Sequence, residues 1–191
     1  MKTKDQLRKR FLILRKKRYF DVPNNRFYHL VDYIRKKHKF KKKLLIALYY
    51  PSNYELNIFK ILKYLKKKEA IFLLPVIQEE NVLKFIRWKE RDVLSVNKFG
   101  IPEPLQSQKS YLPDVVLVPL LAFDKNKNRL GYGKGFYDRF LNNLIERNHK
   151  VEAIGVAFSF QKYNKIPSSK FDFKLHNIFT EKGFLQWEYF Y

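Results

Sequence analysis

The sequence contains no cysteine, and this absence excludes several classes of protein at once. Disulfide scaffolds, thiol nucleophiles and zinc sites built on thiolates all need that side chain. A reducing compartment fits a chain without thiols, so we expect a cytoplasmic protein. Long apolar runs are also missing: FLIL at 11–14 is too short for the core of a signal peptide, and no segment approaches the roughly 20 apolar residues that span a bilayer. We therefore expect neither export nor a membrane partner.

Acidic residues are scarce compared with basic ones. The 191 residues include 40 Lys and Arg but only 18 Asp and Glu, a net charge of +22. Residues 1–43 carry 17 of the basic residues and three of the acidic ones, which places a charge of +14 in this segment. A nucleic acid, an anionic membrane or a polyanionic small molecule could bind there, but biased residue usage with a solvated cationic face explains the charge equally well.

Enough apolar side chain is present to exclude a disordered chain, since 46% of the residues are hydrophobic and 17% aromatic. Helical spacing of apolar residues predicts helices at 3–18, from 27 into the basic run 35–43, at 54–67 and at 135–148. Apolar runs predict strands at 44–50, 70–76, 82–88, 115–121, 151–158 and 177–180, with a loop at 97–114. This alternation predicts a single α/β domain over 1–191, with Rossmann-like layering of helices on a mostly parallel sheet.

Glycine is also rare, and three of the six glycines lie together in RLGYGKGFYD at 129–138. The cluster follows a predicted strand and opens a predicted helix, where backbone N–H groups and the helix dipole attract anions. Arg129 and Lys134 add positive charge. The spacing is neither that of a P-loop nor that of a dinucleotide fingerprint. A phosphate cradle and a tight structural turn both remain possible, and Asp138 is either a Mg²⁺ ligand or an acid favoured by the helix dipole.

The first predicted helix carries a basic ridge beside its apolar stripe. At roughly 100° per residue, Lys4, Arg8 and Arg15 fall within about 40° of one another. The ridge could direct three donors at a phosphate-bearing ligand. It could equally consist of side chains that extend from a packed helix to water.

The stretch VPLLAFDKNKNRLGYGKGFYDRFL at 118–141 resembles the signature block of the 5-formyltetrahydrofolate cyclo-ligase family. The N-terminal pattern of Lys4, Arg8 and Arg15 is similar to that family too, as is LLIALYYPSNYE, which ends at Glu55. Further similarity lies in KFIRW at 84–88, FGIPEP at 99–104, AFSFQ at 157–161 and the segment 166–172. The resemblance therefore spans nearly the whole chain.

This resemblance implies an ATP- and Mg²⁺-dependent cyclisation of 5-formyltetrahydrofolate to 5,10-methenyltetrahydrofolate, with release of ADP and phosphate. It implies Arg129 and Lys134 as catalytic residues and Asp138 and Asp172 as Mg²⁺ ligands. The implied folate contacts are Tyr50, Glu55, Phe136 and Tyr137. The implied ATP contacts are Lys4, Arg8, Arg129, Leu130, Gly131, Tyr132, Gly133, Lys134, Gly135, Phe136 and Tyr137.

Three positions depart from the family pattern. Phe136 replaces the first Tyr of a Tyr-Tyr-Asp, Leu120 replaces a Gly, and His176 stands where an acid is common. A neutral His does not offset the charge of Mg²⁺, so the last change puts details of the metal site in question. Two rival functions remain open: nucleic-acid binding through 1–43, for which no known motif is present, and another ATP-dependent reaction on the same scaffold. We expect a monomer that binds folate and ATP and has no nucleic-acid partner.

Overall fold

A seven-stranded sheet lies at the centre of the fold in the computed structural model, which describes residues 2–39, 41–65, 68–105 and 109–185. The strands of these residues are, in chain order, β1 (Leu44–Ala47), β2 (Ala70–Ile77), β3 (Leu83–Trp88), β4 (Leu94–Val96), β5 (Pro102–Pro104), β6 (Val115–Pro119), β7 (Ala122–Phe123), β8 (Arg129–Leu130), β9 (Glu152–Val156), β10 (Asn177–Thr180) and β11 (Gly183–Phe184). The central sheet has the order β11-β10-β9-β6-β1-β2-β3. Its five inner strands are parallel, and the edge strands β3 and β11 are antiparallel to their neighbours. The prediction of a mostly parallel sheet is confirmed.

The α-helices are α1 (Lys4–Arg18), α2 (Tyr28–Lys37) and α3 (Phe136–Glu146), and α2 and α3 cover opposite faces of the sheet. Alternate side chains of a strand point to opposite faces. In β6, Val115 and Leu117 therefore pack in the core under α2, while Val116 and Val118 pack in the core under α3. Both cores are fully buried at β6, which explains why the sequence there is a continuous apolar run.

Helix α1 packs apart from the two main cores. Leu7 and Phe11 form a small third cluster with residues of the β7–β8 hairpin. Thr3 caps the helix: its hydroxyl accepts from the backbone N–H of Gln6, and the Gln6 side chain accepts from the backbone N–H of Thr3. The cap fixes where α1 begins, and the cluster holds its inner face against the loops that follow the sheet.

The predicted helix at 54–67 is wrong. The structure has a short 3₁₀ helix there, Ile58–Lys63, which begins after an Asn57 cap. Asn53 and Tyr54 both adopt left-handed backbone angles, with φ of 47° and 62°, so the chain is still turning where the helix was expected to begin. Lys66 and Lys67 lie outside the described residues. The apolar spacing reflected burial of Ile58 and Ile61 rather than a long helix.

Several other boundaries also differ from the prediction. The first strand ends at Ala47 rather than at 50, because the chain leaves the sheet there to form a loop. The β4–β5 and β7–β8 hairpins and the edge strand β11 are short elements that apolar periodicity did not predict. In the described part of the chain, none of the helices has the length and apolar character needed to cross a bilayer.

Candidate active site

The predicted site residues collect where the direction of the sheet connections changes. The chain passes from β1 outward to β2 on one side, and from β6 to β9 and β10 on the other. The loops that follow β1 and β6 therefore diverge and leave a crevice at the carboxyl ends of these strands, the usual ligand position in open α/β sheets. Glu55 follows β1, and the glycine cluster follows the β7–β8 hairpin that extends β6.

The buried Arg15 and Glu55 meet Tyr132, which is 39% exposed, and this cluster joins the two sides of the crevice. The Tyr132 hydroxyl donates to Glu55 Oε1 at 2.5 Å and accepts from Arg15 Nη2 at 2.5 Å. The Arg15 side chain is only 1% exposed and also donates to the carbonyls of Asn53, at 2.8 Å, and Leu120, at 3.2 Å. One guanidinium therefore ties the loop after β1 to the loop after β6.

Glu55 keeps its place through several donors. Its second oxygen, Oε2, accepts from the backbone N–H of Ser52 at 2.9 Å. Burial raises the pKa of the Glu55 carboxyl, while Arg15, Tyr132 and Ser52 oppose that rise. The same surroundings raise the pKa of the Tyr132 hydroxyl, mainly through burial and then through the charge of Glu55. Tyr132 is therefore a neutral hydrogen-bond donor to the carboxylate.

An aromatic cavity of about 380 Å³ opens beside Glu55. Its lining includes both Tyr50 and Glu55, which were predicted as folate contacts. The rings of Tyr50 and Phe59 meet edge to face at 5.4 Å, and Tyr19 meets Tyr54 at 5.7 Å on the outer side. Aromatic rings beside one carboxylate suit a planar heterocycle that carries N–H donors.

The glycine cluster forms an open turn before α3. Gly133 and Gly135 adopt left-handed φ angles of 98° and 66°, which a side chain would strain. Among the described residues, none accepts a hydrogen bond from the backbone N–H groups of 131–135. Arg8 Nε donates to the Gly131 carbonyl at 3.0 Å, and the exposed Lys134 side chain lies on the same turn. The turn therefore presents free N–H groups and two cations, as an anion site requires.

Asp138 and Asp172 line a second cavity, of about 340 Å³, together with Gly135. Each carboxylate already has a cationic partner: Arg129 Nη2 lies 2.5 Å from Asp138 Oδ1, and Lys4 Nζ lies 2.7 Å from Asp172 Oδ2. Within the described residues, no group of three or more acidic or His side chains could hold a metal. The pair fits Mg²⁺ only as a partial ligand set, as when Mg²⁺ is shared with phosphate oxygens.

Arg129 is more enclosed than its predicted role suggests. Its side chain is 4% exposed, and Nη1 donates to the Phe173 carbonyl at 2.7 Å in addition to the contact with Asp138. Burial lowers the pKa of this guanidinium, opposed by the charges of Asp138 and Asp172. Arg129 thus anchors the start of α3 to the segment that carries Asp172. Leu130 is buried against α1 in the third cluster.

The two predicted aromatic contacts of α3 do not line either cavity. Phe136 meets Phe99 of the β4–β5 hairpin at 5.8 Å, and Tyr137 packs towards Phe85 at 6.4 Å. Burial raises the pKa of Tyr137, and the charge of Glu55 raises it further. Both side chains are partly buried against the core under α3.

Two departures from the family pattern have structural explanations. Leu120 packs against Gly155, where a Cβ would lie 2.8 Å from Leu120 Cδ2 and 2.6 Å from Leu175 Cδ1, so the glycine at 155 makes room for both leucines. His176 accepts at Nδ1 from the backbone N–H of Ala153 at 3.0 Å, beside the pairing of β9 with β10. That nitrogen is therefore occupied by the backbone of β9 and is not available to a metal.

The sequence prediction left out two residues that the site includes. Arg15 was noted on the basic ridge but not placed in the site; it follows Leu7 and Phe11 at intervals of four, and that spacing indicates an inward-facing position. Arg139 directly follows Asp138, and its Nη1 donates to the Lys134 carbonyl at 2.9 Å, which braces the glycine turn. No sequence signal distinguished it from other surface arginines.

Fold and site together define an α/β enzyme with its ligand crevice at the β1–β6 switch point. A sequence model of the 5-formyltetrahydrofolate cyclo-ligase family matches residues 1–181, and the chain belongs to that family. It is 34% identical over 139 residues to the 5-formyltetrahydrofolate cyclo-ligase of Haemophilus influenzae, covering 70% of this chain and 73% of the relative. The Escherichia coli K12 enzyme of the same name is 30% identical over 148 residues, covering 74% and 80%.

Solved structures agree with this assignment. The NMR structure of 5,10-methenyltetrahydrofolate synthetase from Aquifex aeolicus superposes with a TM-score of 0.73 at 28% identity, covering 98% of each chain. The corresponding synthetase of Mycoplasma pneumoniae gives a TM-score of 0.67 at 26% identity, covering 93% of this chain and 98% of that one. The predicted family and fold class are confirmed.

Proposed function

We propose that the chain converts 5-formyltetrahydrofolate to 5,10-methenyltetrahydrofolate in a reaction that consumes ATP and requires Mg²⁺. Membership of the cyclo-ligase family supports the reaction class. The observation that carries the proposal for this chain is the contact between two half-sites. Tyr132, within the glycine turn, donates to Glu55, which lines the aromatic cavity. Groups suited to a phosphate chain and to a pterin therefore lie side by side.

The folate is proposed to occupy the aromatic cavity. Its pterin would donate N–H groups to Glu55, whose carboxylate keeps lone pairs beyond those used by Tyr132 and Ser52. A charged acceptor makes a stronger hydrogen bond than a neutral one. The carboxylate therefore favours a pterin, which has N–H donors, over an apolar ring, which has none. Tyr50 would contact a planar ring, while Phe136 and Tyr137 do not line this cavity and stay predicted folate contacts.

ATP is proposed to bind across the glycine turn. The free N–H groups of 131–135 would bind phosphate oxygens, and Lys134 and Arg8 would offset their charge. Arg129 would contribute indirectly, because its contacts to Asp138 and Phe173 position the start of α3. Lys4 donates to Asp172 Oδ2, which also accepts from Ser169, so a shift of Lys4 to a phosphate would remove the cationic partner of Asp172.

Mg²⁺ is proposed to arrive with ATP, held by Asp138 and Asp172. One oxygen of each carboxylate, Oδ2 of Asp138 and Oδ1 of Asp172, accepts no hydrogen bond from a described residue. When bound, the ion would neutralise charge on the terminal phosphates. Because each carboxylate also has a cationic partner, we expect weak binding of Mg²⁺ without nucleotide.

The proposed chemistry balances without a protein nucleophile. A formamide is a poor electrophile, so its oxygen first takes the γ-phosphoryl group of ATP and ADP leaves. N10 of the folate then attacks the formyl carbon and loses its proton, and the carbon–oxygen bond breaks as phosphate departs. The residues would contribute positioning and charge stabilisation, the main demands of phosphoryl transfer. The lack of cysteine is consistent with this route.

Absorbance in the methenyl-folate band tests the function directly. Purified protein is mixed with 5-formyltetrahydrofolate and Mg²⁺, with and without ATP, and with EDTA as a further arm. We expect the band to grow only when ATP and Mg²⁺ are both present. Binding of ATP without growth of the band would favour another ATP-dependent reaction on this scaffold. Absence of ATP binding would favour the polyanion-binding alternative for the basic segment 1–43. A monomeric state and a cytoplasmic location stay predictions.

A further inference from the structure

Tyr132 belongs to both halves of the site. Its backbone lies between Gly131 and Gly133 in the turn proposed to bind phosphate. Its hydroxyl reaches Glu55, 77 residues away in sequence, on the wall of the aromatic cavity. The residue therefore cannot change position in the turn without changing a hydrogen bond of the carboxylate.

Arg15 also fixes the ring of Tyr132. The Arg15 guanidinium carbon lies 5.6 Å from the ring centroid, and Nη2 donates to the hydroxyl at 2.5 Å. Arg15 itself is held by the carbonyls of Asn53 and Leu120. The hydroxyl thus has one rigid neighbour, Arg15, and its proton points to Glu55. It orients Oε1, which Arg15 Nη1 approaches only to 3.9 Å.

We propose that the Tyr132 hydroxyl is a positioning group that couples the nucleotide half-site to the folate half-site, so that each ligand tightens binding of the other. The inference rests on the proposed function. A phosphate chain held by the N–H groups of 131–135 would fix the backbone of the turn, and with it the donor that orients Glu55. Linkage requires the effect to be reciprocal, so folate that engages Glu55 also favours the turn that binds nucleotide.

The first part of the test is the wild-type coupling. Calorimetric titration measures the affinity for 5-formyltetrahydrofolate with and without a non-hydrolysable ATP analogue and Mg²⁺, and the affinity for the analogue with and without folate. We expect each ligand to improve the affinity of the other by the same factor, at least about fivefold. Independent binding of the two ligands to the wild-type protein would overturn the inference.

The variant Tyr132→Phe keeps the ring and removes the hydroxyl. We expect the coupling factor to fall to nearly one, and the affinity for folate in the presence of the analogue to fall about tenfold, since a hydrogen bond to a charged group is lost. Affinity for the analogue alone is expected to stay within about twofold of wild type, because the turn keeps its N–H groups. A full coupling factor in Tyr132→Phe would also overturn the inference.

Tyr33 offers a matched control at the opposite end of the sheet. Its hydroxyl donates to Glu152 at 2.9 Å, and Glu152 is buried like Glu55. Tyr33→Phe therefore removes the same kind of bond from a place remote from both cavities, and we expect it to leave the coupling unchanged. Equal loss of coupling in both variants would assign the effect to general stability and contradict a positioning role.

Failure of the inference is distinguishable from failure of the proposed function. Turnover is followed in the methenyl-folate band for the wild type and both variants. We expect Tyr132→Phe to turn over with a raised KM for folate and a kcat within a few-fold of wild type. If the wild type turns over but its two ligands bind independently, only the coupling is wrong. If the wild type does not turn over at all, the proposed function fails first.

Discussion

The two ends of the central sheet each bury carboxylates, but they hold them in different ways. At the amino ends of β6 and β9, Asp114 and Glu152 are 6% and 5% exposed. Their cations are the lysines Lys41 and Lys37, whose side chains are 53% and 45% exposed. Asp114 also accepts from the backbone N–H of Leu45 in β1. These carboxylates fasten neighbouring strands and their connections, and water reaches the opposing charges.

At the carboxyl ends of the strands, the cation Arg15 is more deeply buried than the carboxylate. Arg15 is 1% exposed, and it binds two loop carbonyls and the Tyr132 hydroxyl rather than only a carboxylate. Glu55 borders a cavity large enough for a ring system. A buried charge is costly unless several groups satisfy it, so its retention beside a cavity indicates a task at that cavity. The pairs at the amino ends therefore have a structural role, whereas the buried charges at the carboxyl ends belong to a candidate ligand site.

Arg15→Met gives the largest expected effect. Removal of the guanidinium leaves Glu55 buried without its cation and the Asn53 carbonyl without its donor, so we expect the free energy of unfolding to fall by about 3–5 kcal/mol. Urea unfolding measures the change. The matched variant is Lys37→Met, which removes a half-exposed cation from Glu152 and should cost less than about 1 kcal/mol. Similar losses for both variants would contradict the distinction between the two ends.

Glu55→Gln tests the site itself. The amide keeps the shape but loses the charge that we propose binds pterin N–H groups, so we expect kcat/KM for 5-formyltetrahydrofolate to fall by roughly 10- to 100-fold, mainly through KM. Steady-state absorbance measures it. Glu152→Gln changes a carboxylate of equal burial at the other end and should leave kcat/KM within about twofold. A Glu55→Gln variant whose kcat/KM stays at the wild-type value would remove Glu55 from the proposed folate site.

The central strands and the glycine turn could be predicted from sequence because their signals are local. The apolar run at 115–121 marks a strand buried on both faces, and three glycines in five residues mark a turn with left-handed angles. The loop after β1 could not be predicted in this way. Its left-handed Asn53 and Tyr54 are imposed by contacts with α1, such as the bond from Arg15 to the Asn53 carbonyl.

The part of the site that depends on distant residues was likewise beyond sequence reasoning. The spacing predicted the ridge of Lys4, Arg8 and Arg15. It did not predict that Arg15 turns inward while Lys4 pairs with Asp172. Each of these contacts joins residues more than 100 positions apart or crosses between loops. Periodicity reports which face of a helix is buried, and only the tertiary structure decides what that face meets.

Lys134→Ala tests the anion turn with a smaller expected effect. Lys134 is exposed and forms no salt bridge with a described residue, so its loss should barely change stability, but it should raise the KM for ATP about tenfold through loss of a charged donor. Lys125, exposed in the neighbouring β7–β8 connection, supplies the control variant Lys125→Ala, which should leave the KM for ATP unchanged. Unchanged turnover of Lys134→Ala at limiting ATP would remove Lys134 from the site.

Lys4→Gln gives the smallest expected effect and one that depends on pH. Burial acts to raise the pKa of Asp172, but Lys4 and Ser169 outweigh it and hold that pKa below its ordinary value of 3.8. A carboxyl with a lowered pKa stabilises the fold above the unfolded pKa, and this contribution disappears as the pH falls through the folded pKa. The pair is partly exposed, so we expect Lys4→Gln to cost less than about 1 kcal/mol at neutral pH.

The cost of Lys4→Gln should shrink as the pH falls below 3.8, where Asp172 becomes protonated in both proteins. Urea unfolding across this range measures it, with Lys36→Gln as a control for an exposed pair on α2. A cost that stays constant in acid would mean that Lys4 stabilises the fold through packing and not through Asp172. The pH dependence therefore shows whether Lys4 stabilises the fold through its ion pair with the ionised Asp172. A carboxylate that needs a cation in this way is one at which the proposed Mg²⁺ could replace Lys4.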